Sequence, residues 1–419
     1  MNRTTPIQAT RWFAFGLVWG VLGAQAQTLP AGVREFVPPP ELQETAGSSS
    51  WFFLEKLERG WELLVPSDGE GNEPLQTVLW RWEGNTATRV ATIPGIFVKV
   101  AYEVASGRNG VRRLFLWGGV RSPLSSHPLS RTKGYMVVDL PAGGAPRTVW
   151  LSTDVAEMLR PAPYSVAVNG AGTRWAALLP RQEGEGARLL IGELPSTRPS
   201  YRLEWVPSGG PELKAVLGEF AEESTVFFLE ENRLLMIPSG FPMLVEIQGS
   251  ELRRTLLGVP APVADVYFQK STRTLWIADA ERINMDAWPP IVESGNHYGF
   301  VLPEAGSGLL GETLAPSFRY TPEELGLASY ASRELRGFLS DSVAVFLVRN
   351  DQQKELVSVR LDGPQGPQIL ERIPVPTNLG TTVSLGLREM VTKQTRRRAD
   401  GSNETVFYRI DLTRYRSAN

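Results

Sequence analysis

Thr274 to Phe300 reads TLWIADAERINMDAWPPIVESGNHYGF, and it joins the shortest kind of apolar run to the most chemically varied loop in the chain. Leu275 to Ala278 is too brief for a helix, and Asp279 ends it with a side chain that favours turns over sheet ladders. Pro289 and Pro290 oppose a continuing strand, while Gly295 and Gly299 free the backbone around Asn296, His297 and Tyr298. The pattern predicts a strand followed by a long polar loop, the position at which binding and catalytic groups concentrate.

Outward from this stretch the same rhythm recurs. Trp51 to Leu54, Glu62 to Val65, Thr77 to Trp82 and Arg89 to Ile93 are short aromatic and branched runs separated by Gly, Asn, Asp and Pro. Comparable groups occupy Phe97 to Leu151, Tyr164 to Val206, Val226 to Leu257, Val263 to Ala278 and Ser342 to Ile373, and a final pair, Val383 to Leu387 with Val406 to Leu412, ends the chain. Helical patterning is confined to Thr153–Leu159 and Pro322–Ala328. Six groups at intervals of roughly 60 residues predict an all-β, six-bladed β-propeller of four-stranded antiparallel blades, because radial repetition buries sheet faces and leaves only short edges. Two stacked β-sandwiches are the rival architecture. No linker divides residues 51–415, which read as one domain.

The chain has 419 residues, 42% hydrophobic and 21% charged, which suits a globular core. A net charge of −2 gives no basic excess for a nucleic-acid backbone, and Arg396-Arg397-Arg398 is followed closely by Asp400. Residues 1–26 read as an export signal: Arg3 and Arg11 precede an apolar core from Trp12 to Leu22, and Ala24-Gln25-Ala26 offers a small-residue cleavage site. That core, about 11 residues, is too short to span a bilayer, and a retained anchor is the competing reading. The mature chain is thus expected in the periplasm or outside the cell, without a transmembrane segment, after a lead-in over residues 27–50. Cysteine is absent and only two histidines occur, His127 and His297, which excludes disulfides, thiolate metal sites and a three-His centre.

Four places resemble the secreted glucose/sorbosone dehydrogenases, six-bladed propellers that oxidise sugars with pyrroloquinoline quinone. Leu29-Pro30-Ala31-Gly32-Val33 is similar to that family's opening, and Val266–Phe268 with Leu275–Asp279 to its strand pair ending in Trp-Val-Ala-Asp. Gly295–Phe300 resembles its Gly-x-Asn-Tyr-Gly-Trp. Gly326–Tyr330, Glu334–Gly337 and Val406–Ile410 resemble its last blade and terminal strand. The resemblance implies a sugar substrate, pyrroloquinoline quinone and calcium. Two departures oppose the chemistry. Arg160 to Gly172, where the family's general-base His belongs, holds no His, and Pro260-Ala261-Pro262-Val263 lacks the Arg-Asn pair that holds the quinone.

The candidate site follows from both readings. His297 is the candidate base, Asn296, Tyr298 and Trp288 are candidate ligand contacts, and Asp279, Glu281 and Asp286 supply hard oxygens suited to calcium. Each has a plainer alternative: a packing histidine, and turn-forming or solvated carboxylates. Of the twelve tryptophans, Trp80, Trp82, Trp117 and Trp276 fall within predicted strands and read as packing residues, which leaves Trp288 as the loop exception. The expected function is a propeller that binds a small molecule or an envelope protein, with no cofactor assigned. A quinone-dependent aldose dehydrogenase is the enzymatic alternative, and an assembly propeller of the cell envelope is the third class.

Overall fold

The computed structural model describes residues 33–36, 38–43, 52–56, 60–67, 76–107, 111–121, 131–141, 144–152, 164–181, 186–206, 224–260, 262–284, 291–307, 311–350, 354–375, 382–384, 389–397, 400–401 and 403–411. The export signal, His127, Asp286 and Trp288 lie outside them.

Strand β1 (Val33–Phe36) precedes a sheet built from β2 (Phe52–Lys56), β3 (Gly60–Ser67), β4 (Gln76–Glu83) and β5 (Thr86–Pro94). Sheet 2 is β6 (Ile96–Gly107), β7 (Val111–Arg121), β8 (Arg131–Leu140) and β9 (Arg147–Leu151). Sheet 3 is β10 (Ser165–Val168), β11 (Arg174–Pro180), β12 (Ala187–Glu193) and β13 (Pro199–Trp205). Sheet 4 is β14 (Thr225–Glu230), β15 (Arg233–Ile237), β16 (Met243–Gln248) and β17 (Glu251–Leu257). Sheet 5 is β18 (Val263–Gln269), β19 (Thr274–Asn284), β20 (Ile291–Val301) and, after the short β21 (Thr313–Leu314), β22 (Phe318–Tyr320). Sheet 6 is β23 (Ser332–Ser340), β24 (Val343–Arg349), β25 (Lys354–Arg360) and β26 (Gln368–Pro374). Sheet 7 is β27 (Thr382–Ser384), β28 (Glu389–Arg397) and β29 (Asn403–Asp411), completed by β1.

The chain is therefore all-β, with seven sheets among the described residues where the sequence pattern predicts six. The seventh escapes a count of consecutive runs because its fourth strand comes from the other end of the chain: Val33 pairs with Ile410 and Phe36 with Phe407. The segment read as a lead-in thus carries a strand, and a short helix, Pro40–Gln43, whose Leu42 is fully buried.

Each sheet buries one face against the sheet before it and the other against the sheet after it. Leu64, Leu79 and Ile93 of sheet 1 meet Leu114 and Leu116 of sheet 2, whereas Phe115, pointing the other way, meets Trp175 and Ala177 of sheet 3. The alternation continues through all the sheets, and Phe407 of sheet 7 packs with Leu63, Val65 and Trp82 of sheet 1. The order of packing is cyclic. This explains why middle strands such as β11 are buried on both faces while the outer β13 alternates.

An ionic repeat runs beneath the apolar one. Arg113, Arg174 and Arg233 stand opposite Asp139, Glu193 and Glu246 in the β7–β8, β11–β12 and β15–β16 ladders, with Nε to carboxylate distances of 2.6, 3.0 and 2.8 Å. Each guanidinium also donates to the following sheet: Arg113 to Gly172 O (2.7 Å), Arg174 to Asn232 Oδ1, and Arg233 to Pro303 O (2.7 Å). The three arginines tie three successive sheet junctions.

Candidate functional site

The predicted loop before Gly295 is in fact a continuing strand over Ile291–Val301, paired to β19 from Thr274–Val301 up to Asn284–Ile291. Strand β18 stops at Val263, opposite Asp279, so Ala280 to Asn284 have no β18 partner and the β19–β20 hairpin projects beyond its sheet. At about 3.3 Å per residue the projection is roughly 15 Å. Register shifts around Ala280 place bulges where the projection begins, a device that bends a strand and re-aims its side chains.

At the base of the projection Asp279 is held by Tyr298 of the adjacent strand, which pairs with Ile277 two residues before it. Tyr298 donates its hydroxyl to Oδ2 (3.1 Å), and Asn296 Nδ2 lies 3.4 Å from the same hydroxyl. Burial, then the charge of Asp279, raises the Tyr298 phenol above its usual range and keeps it a donor. Asp279 Oδ1 has no hydrogen-bond partner and lies against Gly295, where a Cβ would come within 2.1 Å of it. Asp279 is only 8% exposed, whereas Glu281, two residues along, is exposed. Asp279, Asn296 and Tyr298 therefore lie together, although the sequence reading puts Asp279 with Glu281 and Asp286 as calcium ligands and Asn296 and Tyr298 with Trp288 as ligand contacts.

His297 does not join them, because alternate residues of a strand face opposite ways. It points into the seam between sheets 5 and 6, edge-on to Phe346 with ring centroids 5.3 Å apart, and is 1% exposed. Its Nε2 lies 3.1 Å from Arg333 O; a carbonyl only accepts, so Nε2 carries the hydrogen and Nδ1 is left bare. Burial holds the imidazole down at about 4. The group read as a loop base is a neutral side chain in a packed seam.

The seam explains its role. Strand β23 ends its sheet, with β24 on one side only, and its other edge is stitched by main-chain and side-chain groups of sheet 5. Ser294 N donates to Ala331 O (3.0 Å), Ser294 Oγ accepts from Arg333 N (3.3 Å), His297 donates to Arg333 O, and Asp265 Oδ2 accepts from Leu335 N (2.7 Å). The Arg333 side chain, buried at 4% exposure, donates to the carbonyls of Ser294, Tyr330 and Leu327. Asp265 also accepts from Val266 N, and burial pushes its carboxyl up to about 6. Sequence reading missed Asp265 and Arg333. The available signal was an acid inside an apolar strand and a basic residue at the head of another, where an unpaired edge needs polar partners.

The calcium and quinone implied by the resemblance fit these residues poorly. Calcium takes about six to eight oxygens, yet one Asp279 oxygen is committed to Tyr298, and no group of three or more acidic or histidine side chains gathers for a metal among the described residues. Arg333, the buried cation nearest the hairpin, donates to main-chain carbonyls rather than standing free for quinone oxygens.

No family model and no curated protein matches the sequence. Similar solved structures include the periplasmic gluconolactonase of Pseudomonas aeruginosa, at 12% identity over 78% of this chain and 85% of that one, with a TM-score of 0.43. Another is the β-propeller domain of the Trilobed protease from Pyrococcus furiosus, at 9% identity over 88% and 99%, with a TM-score of 0.42.

Proposed function

We propose that this chain is an exported, seven-bladed β-propeller that binds a small molecule or an envelope protein at the end of sheet 5 from which the β19–β20 hairpin projects. The cyclic packing order supports the propeller, and the signal-like residues 1–26 support export. The observation that carries the binding reading is the separation of the two groups on β20. Asp279, Asn296 and Tyr298 form an anchored polar set at the base of the projecting hairpin, while His297 is sealed into the seam without access for a proton acceptor's work.

Differential scanning fluorimetry of the purified mature protein with aldoses, calcium and pyrroloquinoline quinone tests this reading, since a ligand at 100 times its Kd stabilises by about 2.7 kcal/mol. A pulldown from envelope extracts covers the protein partner. Asp279→Asn is expected to abolish the gain with whichever partner binds, and His297→Gln to keep it. Aldose oxidation that depends on added quinone and is lost in His297→Gln would replace binding with catalysis.

A further inference from the structure

Asp265 and His297 engage one edge of one strand. The carboxylate takes Leu335 N–H and the imidazole takes Arg333 C=O, two residues apart on β23 and on its unpaired side. Both inner strands are irregular at this point, with register shifts between Val263 and Asp265 and between Leu335 and Gly337, so the stitch stands where the ladders are weakest. We propose that Asp265 and His297 are a compensated proton pair that holds the seam between sheets 5 and 6 equally closed from neutral to mildly acidic pH.

The charges around the pair are few. Glu334 and Arg336 of β23 act on Asp265 with opposite signs, β19 presents Ala278 and β22 presents Tyr320 opposite His297, and Arg333 is the charge acting on His297. In the closed seam Asp265 holds its proton up to about pH 6 and His297 stays neutral down to about 4. In an opened, solvated seam they return towards 3.8 and 6.5. At pH 5 the closed seam therefore carries one proton, on Asp265, and the open seam carries one, on His297. Near pH 7.5 both carry almost none. Equal proton numbers in the two states remove the pH dependence of opening.

Removing either partner exposes the other's titration. Amide hydrogen exchange of the segment 331–337, corrected for intrinsic rates, reads the opening equilibrium at pH 5 and pH 7.5. Wild type is expected to differ by no more than about threefold between the two, Asp265→Asn to open about 30-fold more at pH 5, and His297→Gln to open about tenfold less at pH 5. Both replacements keep a hydrogen-bonding group without a titrating one. Equal pH responses in the two variants, or a wild-type response as steep as that of Asp265→Asn, would overturn the proposal. An NMR titration of His297 in the otherwise wild-type chain, assigned with His127→Gln, gives an answer that does not depend on how the seam variants fold: the ring must stay neutral to about pH 4, and titration near 6.5 would equally overturn it.

Discussion

Replacing Glu246 with Leu strands the most deeply buried member of the ionic repeat. Arg233 has no exposed side-chain surface and Glu246 is 4% exposed. The variant removes the acceptor of both Arg233 Nε and Nη2, leaving Glu230 at 3.0 Å and Pro303 O at 2.7 Å. Breaking one side of a buried pair costs about 3–5 kcal/mol, and because Glu230 still faces the guanidinium, about 3 kcal/mol is expected. Arg233→Met leaves the buried Glu246 with Gln248 Nε2 at 3.2 Å, while Glu230 keeps Arg273 at 2.8 Å, so about 4 kcal/mol is expected there. The double variant carries no unpaired charge at this position and fills the space with apolar atoms. It is expected to lie within about 2 kcal/mol of wild type, a coupling of roughly 5 kcal/mol. The same cycle at Arg174 and Glu193, whose carboxylate side chain is 53% exposed, is expected to show no more than about 1 kcal/mol. Urea unfolding followed by tryptophan fluorescence measures both cycles. Additive losses at Arg233 and Glu246, or equal coupling at the exposed pair, would refute the reasoning that burial grades the repeat.

Gly299→Ala is expected to destabilise by about 1–3 kcal/mol and to change tryptophan emission, because a Cβ there would come 1.9 Å from Phe318 Cε2, whose ring packs 4.9 Å from Trp276. Adding Phe318→Leu should recover part of the loss in thermal melts. Tyr298→Phe removes the donor to Asp279 Oδ2 and is expected to cost about 1–3 kcal/mol by urea titration. Burial alone would raise the Asp139 carboxyl, but Arg113 and Arg147 more than offset it and hold it below 3.8. A depressed folded-state value gives stability that is present above 3.8 and lost as pH falls through the folded value. Asp139→Asn should therefore lower Tm at pH 7 and flatten the loss of Tm below pH 4.

How much of this was legible in the sequence depends on whether a residue's role is set within its own strand. The strand runs rest on local spacing, and the structure shows them as strands. Strand β1 was not legible as part of a sheet, because its partner lies more than 370 residues away in β29. The Arg113, Arg174 and Arg233 repeat was present in the sequence as an arginine near the start of the second strand of sheets 2, 3 and 4, yet hydrophobic periodicity is blind to it. His297 illustrates the general limit. Pro289, Pro290 and the flanking glycines argue for a loop, and in a loop an imidazole is free to act as a base. The ladder to β19 instead carries Ile291–Val301 onward as strand, and strand alternation then turns His297 away from Tyr298 and against the bare edge of β23. A single histidine thus changes from a candidate base to a seam donor through pairing that no local signal specifies.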